Sequence, residues 1–217
     1  LNADTTPARY QDALGELSGS LHNDGKWLTL TLGDTRFSGM AFDSLSPESP
    51  LPDGSRFQLQ HDVLCQCALY LRLPLTLLSA EGPQAAQLEI IQHLGQPAPH
   101  GGLDRADLQL QLHMPPQHWR SREGRSDFED ALLDLQRQLP DGLRLRCCFG
   151  CQYGDYSVYG QGSFGSLMCF REYKAIYDQV RSKLDYRQQL DQFSHTVQET
   201  GCCPEFTLRK PGAGYRG

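Results

Sequence analysis

Cys148-Phe-Gly-Cys151 is the pair of residues whose type and spacing point most directly to chemistry. Structural zinc takes four soft ligands in a tetrahedron, and a Cys-x-x-Cys turn presents two thiolates about 2.3 Å from the ion without straining the backbone. Gly150 offers that turn a left-handed conformation. The second half of a ligand set is less regular, because Cys169 stands alone and Cys202 and Cys203 are adjacent. Alternation along Leu143, Leu145 and Cys147 turns Cys147 toward the core and Cys148 toward the turn. Pro204 holds Cys203 extended, whereas Cys202 follows Gly201, a helix C-cap candidate, so Cys203 is favoured over Cys202. The expected set is Cys148, Cys151, Cys169 and Cys203 around one structural Zn2+, ahead of disulfides or reduced buried thiols.

Past the turn, Tyr153, Asp155, Tyr156, Ser157 and Tyr159 form a stretch dense in polar-tipped aromatics. Such residues suit a contact surface, since they offer area at low entropic cost, and the loop Tyr153 to Gly165 is the expected binding loop. The same tyrosines could instead pack the loop inward. Gly160-Gln-Gly-Ser-Phe-Gly165 has the spacing of a dinucleotide fingerprint but lacks the strand before it and the acidic residue after it, so it is read as a loop. A cysteine nucleophile would need a histidine beside it, with Cys147 or Cys202 and His195 as the candidates. His195 falls on the polar side of an expected helix, and no His-x-His or His-Glu-x-x-His pattern supports a catalytic zinc.

The elements that must position these residues fall into two kinds. Leu28, Leu30 and Leu32 alternate with threonines before Gly33-Asp34, the pattern of a half-buried strand and its hairpin turn, with Phe37 on the return strand. Ser44 to Gly54 reads as a loop, and Phe57 and Leu59 begin another strand. Cys65, Cys67, Leu69, Leu71, Leu73 and Leu75 occupy every second position, which predicts a strand with both cysteines buried and metal-free. Further strands are predicted over Leu88 to Leu94 and Leu108 to Met114. After Trp119 the period changes: Ser126 and Glu129 form a capping box, and Phe128, Leu132, Leu135 and Leu139 predict a helix ending at Pro140 and Gly142. Two more helical patterns run through Tyr173, Ile176 and Val180, and through Leu190, Phe193 and Val197.

The predicted class is therefore α+β, an N-terminal antiparallel sheet or sandwich over 1–120 followed by a mixed helix and strand region over 121–217 that carries the cysteines. The two regions could share one core. With 217 residues, 39% hydrophobic and 21% charged, the chain has enough apolar content to fold unaided. A net charge of −6 with no basic stripe disfavours nucleic acid and acidic membrane surfaces as partners. The apolar run from Cys65 to Leu78 is broken by Gln66, Arg72 and Pro74, so it predicts no membrane span. No charged stretch followed by an apolar one opens the chain at Leu1, and a cytoplasmic location is the expectation.

The motifs Phe-Glu-Asp-Ala-Leu, Leu-Pro-Asp-Gly, Cys-Cys-Phe-x-Cys-x-Tyr-x-Asp-Tyr-Ser, Leu-Met-Cys-Phe-Arg, Cys-Pro-Glu-Phe and Gly-Tyr-Arg-Gly run from residue 128 to 217. Over that stretch the chain resembles an uncharacterised bacterial family of unknown function, DUF6304. The resemblance implies a bacterial cytosolic origin and supplies no substrate, cofactor or catalytic residue. Two readings of different class follow from the residues. One is a zinc-stabilised binding protein whose partner is a protein or a small polar ligand. The other is an enzyme, a hydrolase or transferase, with a cysteine nucleophile or an open-coordination zinc served by a carboxylate such as Asp155 or Glu205.

Overall fold

Apolar and polar residues that alternate along the chain become the strands of one large antiparallel sheet. The computed structural model describes residues 4–24, 27–100, 102–125, 127–159, 167–214 and 216. Among these, eleven strands come first: β1 (Asp4–Asp12), β2 (Gly15–Asn23), β3 (Leu28–Leu32), β4 (Thr35–Gly39), β5 (Ser46–Pro47), β6 (Gln58–Gln60), β7 (Val63–Cys65), β8 (Cys67–Ser79), β9 (Gly82–Leu94), β10 (Ala106–Met114) and β11 (Gln117–Arg120). Helix α1 (Phe128–Gln138) follows. Then come β12 (Arg144–Arg146), β13 (Gly154–Asp155), β14 (Leu167–Cys169), α2 (Lys174–Tyr177), α3 (Lys183–Gln188) and β15 (His195–Val197).

The ten-stranded sheet runs in the order β11-β10-β9-β8-β1-β2-β3-β4-β5, with β12 paired to β8; β13-β14-β15 and β6-β7 form smaller sheets. The chain divides into two compact units. Unit 1 is Leu1–Pro74 with Gln87–Gln138, and unit 2 is Leu75–Ala86 with Leu139–Gly217. Strands β8 and β9 thus begin and end in unit 1 while their connecting tip counts with unit 2. Helix α1 counts with unit 1, where its buried Phe128, Ala131, Leu132 and Leu135 give it an apolar face for β10. The change of period near Trp119 falls where the strands β10 and β11 give way to helix α1.

Within unit 1 the predicted pleat is realised residue by residue. Leu28, Leu30 and Leu32 are buried while Thr29 and Thr31 are half-exposed, and Gly33 takes φ 58° at the two-residue turn that pairs Leu32 with Thr35. Leu108, Leu110 and Leu112 on β10 lie opposite Gln92, Ile90 and Leu88 on β9. The sequence reading missed β1 and β2, whose serines, glycines and short polar residues hide the alternation that Tyr10 and Leu21 carry. No helix among the described residues is long and apolar enough to cross a membrane.

The strand predicted through Cys65 and Cys67 is interrupted. Gln66 adopts φ 53°, which ends β7 at Cys65 and starts β8 at Cys67, yet both cysteines remain buried and outside any disulfide. Burial raises both thiol pKa values, that of Cys67 to about 12, so neither is ionised near neutral pH. Both should therefore resist a bulky thiol reagent in the native protein and label only as it unfolds, while exposed Cys202 labels at once. Mass spectrometry of labelled peptides over time checks this. Early labelling of Cys67 would show that β8 opens locally.

One buried charge organises the end of unit 1. Asp134 of α1 has a side chain 2% exposed and accepts from Arg125 Nε at 2.8 Å and Arg125 Nη2 at 3.0 Å, and also from the Arg122 amide at 3.3 Å. The Arg125 hydrogen bonds hold its pKa below the ordinary carboxylate value. A depressed folded-state pKa stabilises the fold above the unfolded value, and that stability drains away as pH falls through the folded one. The capping box expected at Ser126 lies outside the described residues. Asp134→Asn should lower the melting temperature near neutral pH and flatten its fall in acid. Melting curves of both proteins from neutral to acidic pH would reveal parallel slopes if Arg125 and Asp134 contribute nothing.

Candidate functional site

The Cys-x-x-Cys turn forms where β12 ends. Cys147 is extended and fully buried, Cys148–Gly150 make one 3-10 turn closed by the Cys151 amide donating to the Cys148 carbonyl at 3.1 Å, and Cys151 resumes an extended conformation. Gly150 does not use a positive φ, contrary to expectation. It is needed for space, since a Cβ there would lie 2.6 Å from the Leu145 carbonyl oxygen. Returning chain brackets the turn on both sides: the Cys148 amide donates to Gly201 O at 2.5 Å, the Phe149 amide to Glu199 O at 2.9 Å, and the Gln152 amide to Thr207 O at 2.7 Å.

These contacts bring together the expected quartet. Cys148, Cys151, Cys169 and Cys203 all line one cavity of about 10 Å³, together with Tyr153, Gly154, Arg171, Val197 and Glu205. Cys169 arrives on β14, whose partner β13 sets Gly154 opposite it, and Cys203 arrives on a turn closed by the Phe206 amide donating to the Cys203 carbonyl at 3.1 Å. Among the described residues no group of three or more His, Cys, Asp or Glu is arranged so as to hold a metal ion. The thiols therefore share a cavity without standing at ligating positions. Burial raises the Cys148 pKa strongly and the Cys169 pKa as well, and the neighbouring thiols add to both, while Arg171 at the cavity wall opposes the rise at Cys169. Cys147 is a core residue, as predicted, with its pKa pushed up to about 12 by burial.

His195 corrects the helix predicted through Leu190, Phe193 and Val197. A turn follows α3, and His195 lies on β15 directly opposite Cys169, half-buried, with Nε2 buried and unpartnered among the described residues. Three residues form too short a segment for the helical period to distinguish from a strand.

The described part of the loop expected to be the working surface, residues 153–159, is mostly interior. Asp155 is 0% exposed, Tyr156 3% and Tyr153 9%; Ser157 is half-buried and only Tyr159 stands out in solvent. The region around Gly160 to Gly165 lies outside the described residues. Asp155 accepts from the Arg216 Nε at 3.0 Å, the Tyr177 hydroxyl at 2.6 Å and the Tyr156 amide at 3.0 Å, with Arg209 Nη1 at 3.6 Å. The guanidinium of Arg216 also donates to Phe149 O at 2.9 Å and Gly154 O at 2.7 Å, and that of Arg209 to Cys151 O at 3.1 Å and to Gly154 O. Tyr156 donates its hydroxyl to Glu199, and Tyr186 donates to the Tyr156 carbonyl at 2.7 Å. Phe170, Tyr177 and Tyr186 pack around this group in tilted and edge-on pairs, with Phe170 and Tyr177 ring centroids 4.7 Å apart. Arg209 and Arg216 were invisible to sequence reading, since no period or motif distinguishes an arginine in a glycine- and proline-rich tail.

The carboxylates considered for water activation are both engaged. Asp155 is locked in the cluster just described, and Glu205, although it lines the cysteine cavity, accepts from Lys174 Nζ at 2.7 Å.

Residues 4–154 match a family of unknown function, DUF6304. The chain belongs to that family. The match overlaps the motifs noted over 128–217 only from 128 to 154, so it takes in Cys148 and Cys151 but not Cys169 or Cys203. No curated protein and no solved structure matches the chain.

Breaking the Asp155 cluster leaves charges buried without a partner, which costs about 3–5 kcal/mol. Asp155→Ala should lose stability of that order in denaturant unfolding, whereas Tyr159→Ala should change it by less than about 0.5 kcal/mol. Equal, small effects would show that the cluster contributes nothing to stability.

Proposed function

We propose that Cys148, Cys151, Cys169 and Cys203 hold one structural zinc ion and that unit 2 is a zinc-stabilised binding module. The observation that carries this reading is that four thiols from three separate stretches of chain line one cavity of about 10 Å³, roughly the space of a single water or ion. Rotation of thiol side chains about χ1, with small shifts of the turn at Cys203, would be needed to draw the sulfurs to about 2.3 Å from a central ion. The surrounding backbone favours the turn in advance. A metal would also offset the penalty that raises the pKa of Cys148 and Cys169, because coordination requires the thiolate. Reduced thiols suit a reducing compartment, and a cytoplasmic location is part of the proposal.

A cysteine-nucleophile enzyme draws less support, since Cys147 is fully buried with a raised pKa and His195 stands opposite Cys169, a thiol assigned here to the metal. An open-coordination catalytic zinc lacks a disengaged carboxylate at the cavity, Glu205 being paired with Lys174. The proposed partner is a protein or a small polar molecule. With a net charge of −6, nucleic acid is not favoured.

The expected outcome is one zinc per chain by elemental analysis of protein purified without chelator. Cys148→Ser and Cys203→Ser should each lose the metal and melt lower, while Cys202→Ser and Cys65→Ser retain it. Protein free of zinc after expression in zinc-supplemented medium, or full zinc content in Cys148→Ser, overturns the assignment.

A further inference from the structure

We propose that a second cavity in unit 2, bounded by Gln152, Tyr153, Asp178, Arg181, Lys210 and the 212–214 backbone, binds an acidic α-amino acid. This inference rests on the reading of unit 2 as a binding module and supplies its ligand. The cavity has a volume of about 380 Å³, within the range of small-molecule sites. It lies on chain that the structure holds firmly: Arg209 Nη1 donates to Ala213 O at 2.8 Å, and the Ala213 amide closes a turn onto Lys210 O at 3.1 Å. Gly214 passes so close to Tyr177 that a Cβ there would fall 1.9 Å from the phenol oxygen, so the wall can be built only from glycine.

The lining has the charge pattern of an amino acid in reverse. Asp178 is fixed from behind, accepting from Gln152 Nε2 at 2.9 Å on Oδ1 and from the Tyr153 hydroxyl at 3.2 Å on Oδ2. Each carboxylate oxygen accepts two hydrogen bonds, so both keep a lone pair for a ligand ammonium group. Gln152 is 8% exposed, and with its amide turned to Asp178 its Oε1 is left buried and without a donor among the described residues. Arg181 and Lys210 supply two cationic groups against this single carboxylate. Among the lining residues one positive charge is in excess, although Arg181 also acts on Asp185, and that lining fits a ligand with one ammonium and two carboxylates. Tyr153 also lines the cysteine cavity, so the ligand site and the proposed metal site share a wall.

Titration calorimetry of the full chain with L-glutamate, L-aspartate, glutarate and γ-aminobutyrate tests the assignment. One of the two amino acids should bind saturably and at least about tenfold more tightly than glutarate, which lacks the ammonium, and than γ-aminobutyrate, which lacks one carboxylate. Asp178→Asn should erase the advantage over glutarate. Arg181→Ala with Lys210→Ala should weaken binding by more than about tenfold. Should that double variant fail to fold, Lys210→Gln at an exposed position is read in its place. No binding of either amino acid, glutarate binding as tightly as glutamate, or binding indifferent to these substitutions each overturns the proposal. Zinc content measured on the same preparation separates the two ideas: glutamate binding without zinc retires the metal assignment alone, and zinc without glutamate binding retires this one alone.

Discussion

A carboxylate with no solvent exposure must be neutralised and fully hydrogen-bonded, and in unit 2 that requirement falls on Asp155. Its partners come from distant stretches: Tyr177 from α2, and Arg209 and Arg216 from the closing segment. Each guanidinium has more donors than Asp155 can use, and the surplus goes to the backbone carbonyls of Phe149, Cys151 and Gly154. The ion cluster and the cysteine turn are therefore one construction. Arg216 additionally lies over the rings of Phe149 and Tyr156, at 4.6 Å and 5.2 Å from their centroids, so its charge is also met by aromatic faces.

Each tyrosine around this carboxylate is buried with a hydrogen-bond partner of its own. A phenol can enter an interior only if its hydroxyl finds a partner. Here Tyr177 finds Asp155, Tyr156 finds Glu199, Tyr186 finds the Tyr156 carbonyl and Tyr153 finds Asp178. The cluster of Phe170, Tyr177 and Tyr186 with Met168 and Val180 is thus an apolar core with polar exits. That arrangement leaves the cysteine cavity walled on one side by a core and on another by returning chain, a setting in which thiol geometry can change locally without moving the strands.

Sequence reading succeeded where a single period governed a long segment. The pleat of β3, β8, β9 and β10 and the helical face of α1 follow directly from the placement of leucines, because such elements are stabilised chiefly by burying one apolar face. Cys148, Cys151, Cys169 and Cys203, chosen from eight cysteines by strand alternation and the conformational bias before proline, line one cavity without standing at ligating positions. Sequence reading failed where tertiary partners decide. Asp155 and Tyr156 look like loop-surface residues until two arginines more than fifty positions away are known to cover them. His195 looked helical because its segment is shorter than one helical period, and β1 and β2 escaped notice because only scattered positions such as Ala8, Tyr10 and Leu21 are buried there.

The separation between Asp155 and Arg216, 61 positions along the chain, also bears on how unit 2 assembles in time. Bringing such distant residues together requires closing a long loop before any of the ion-pair energy is gained. Contacts of that kind form late on the folding route, after the helices and the short sheet have organised their local neighbours. Interactions absent from the transition state govern the rate of unfolding and leave the rate of folding nearly unchanged. On that argument the two arginines would act on the lifetime of the folded unit, holding the cysteine turn in place by slowing its escape.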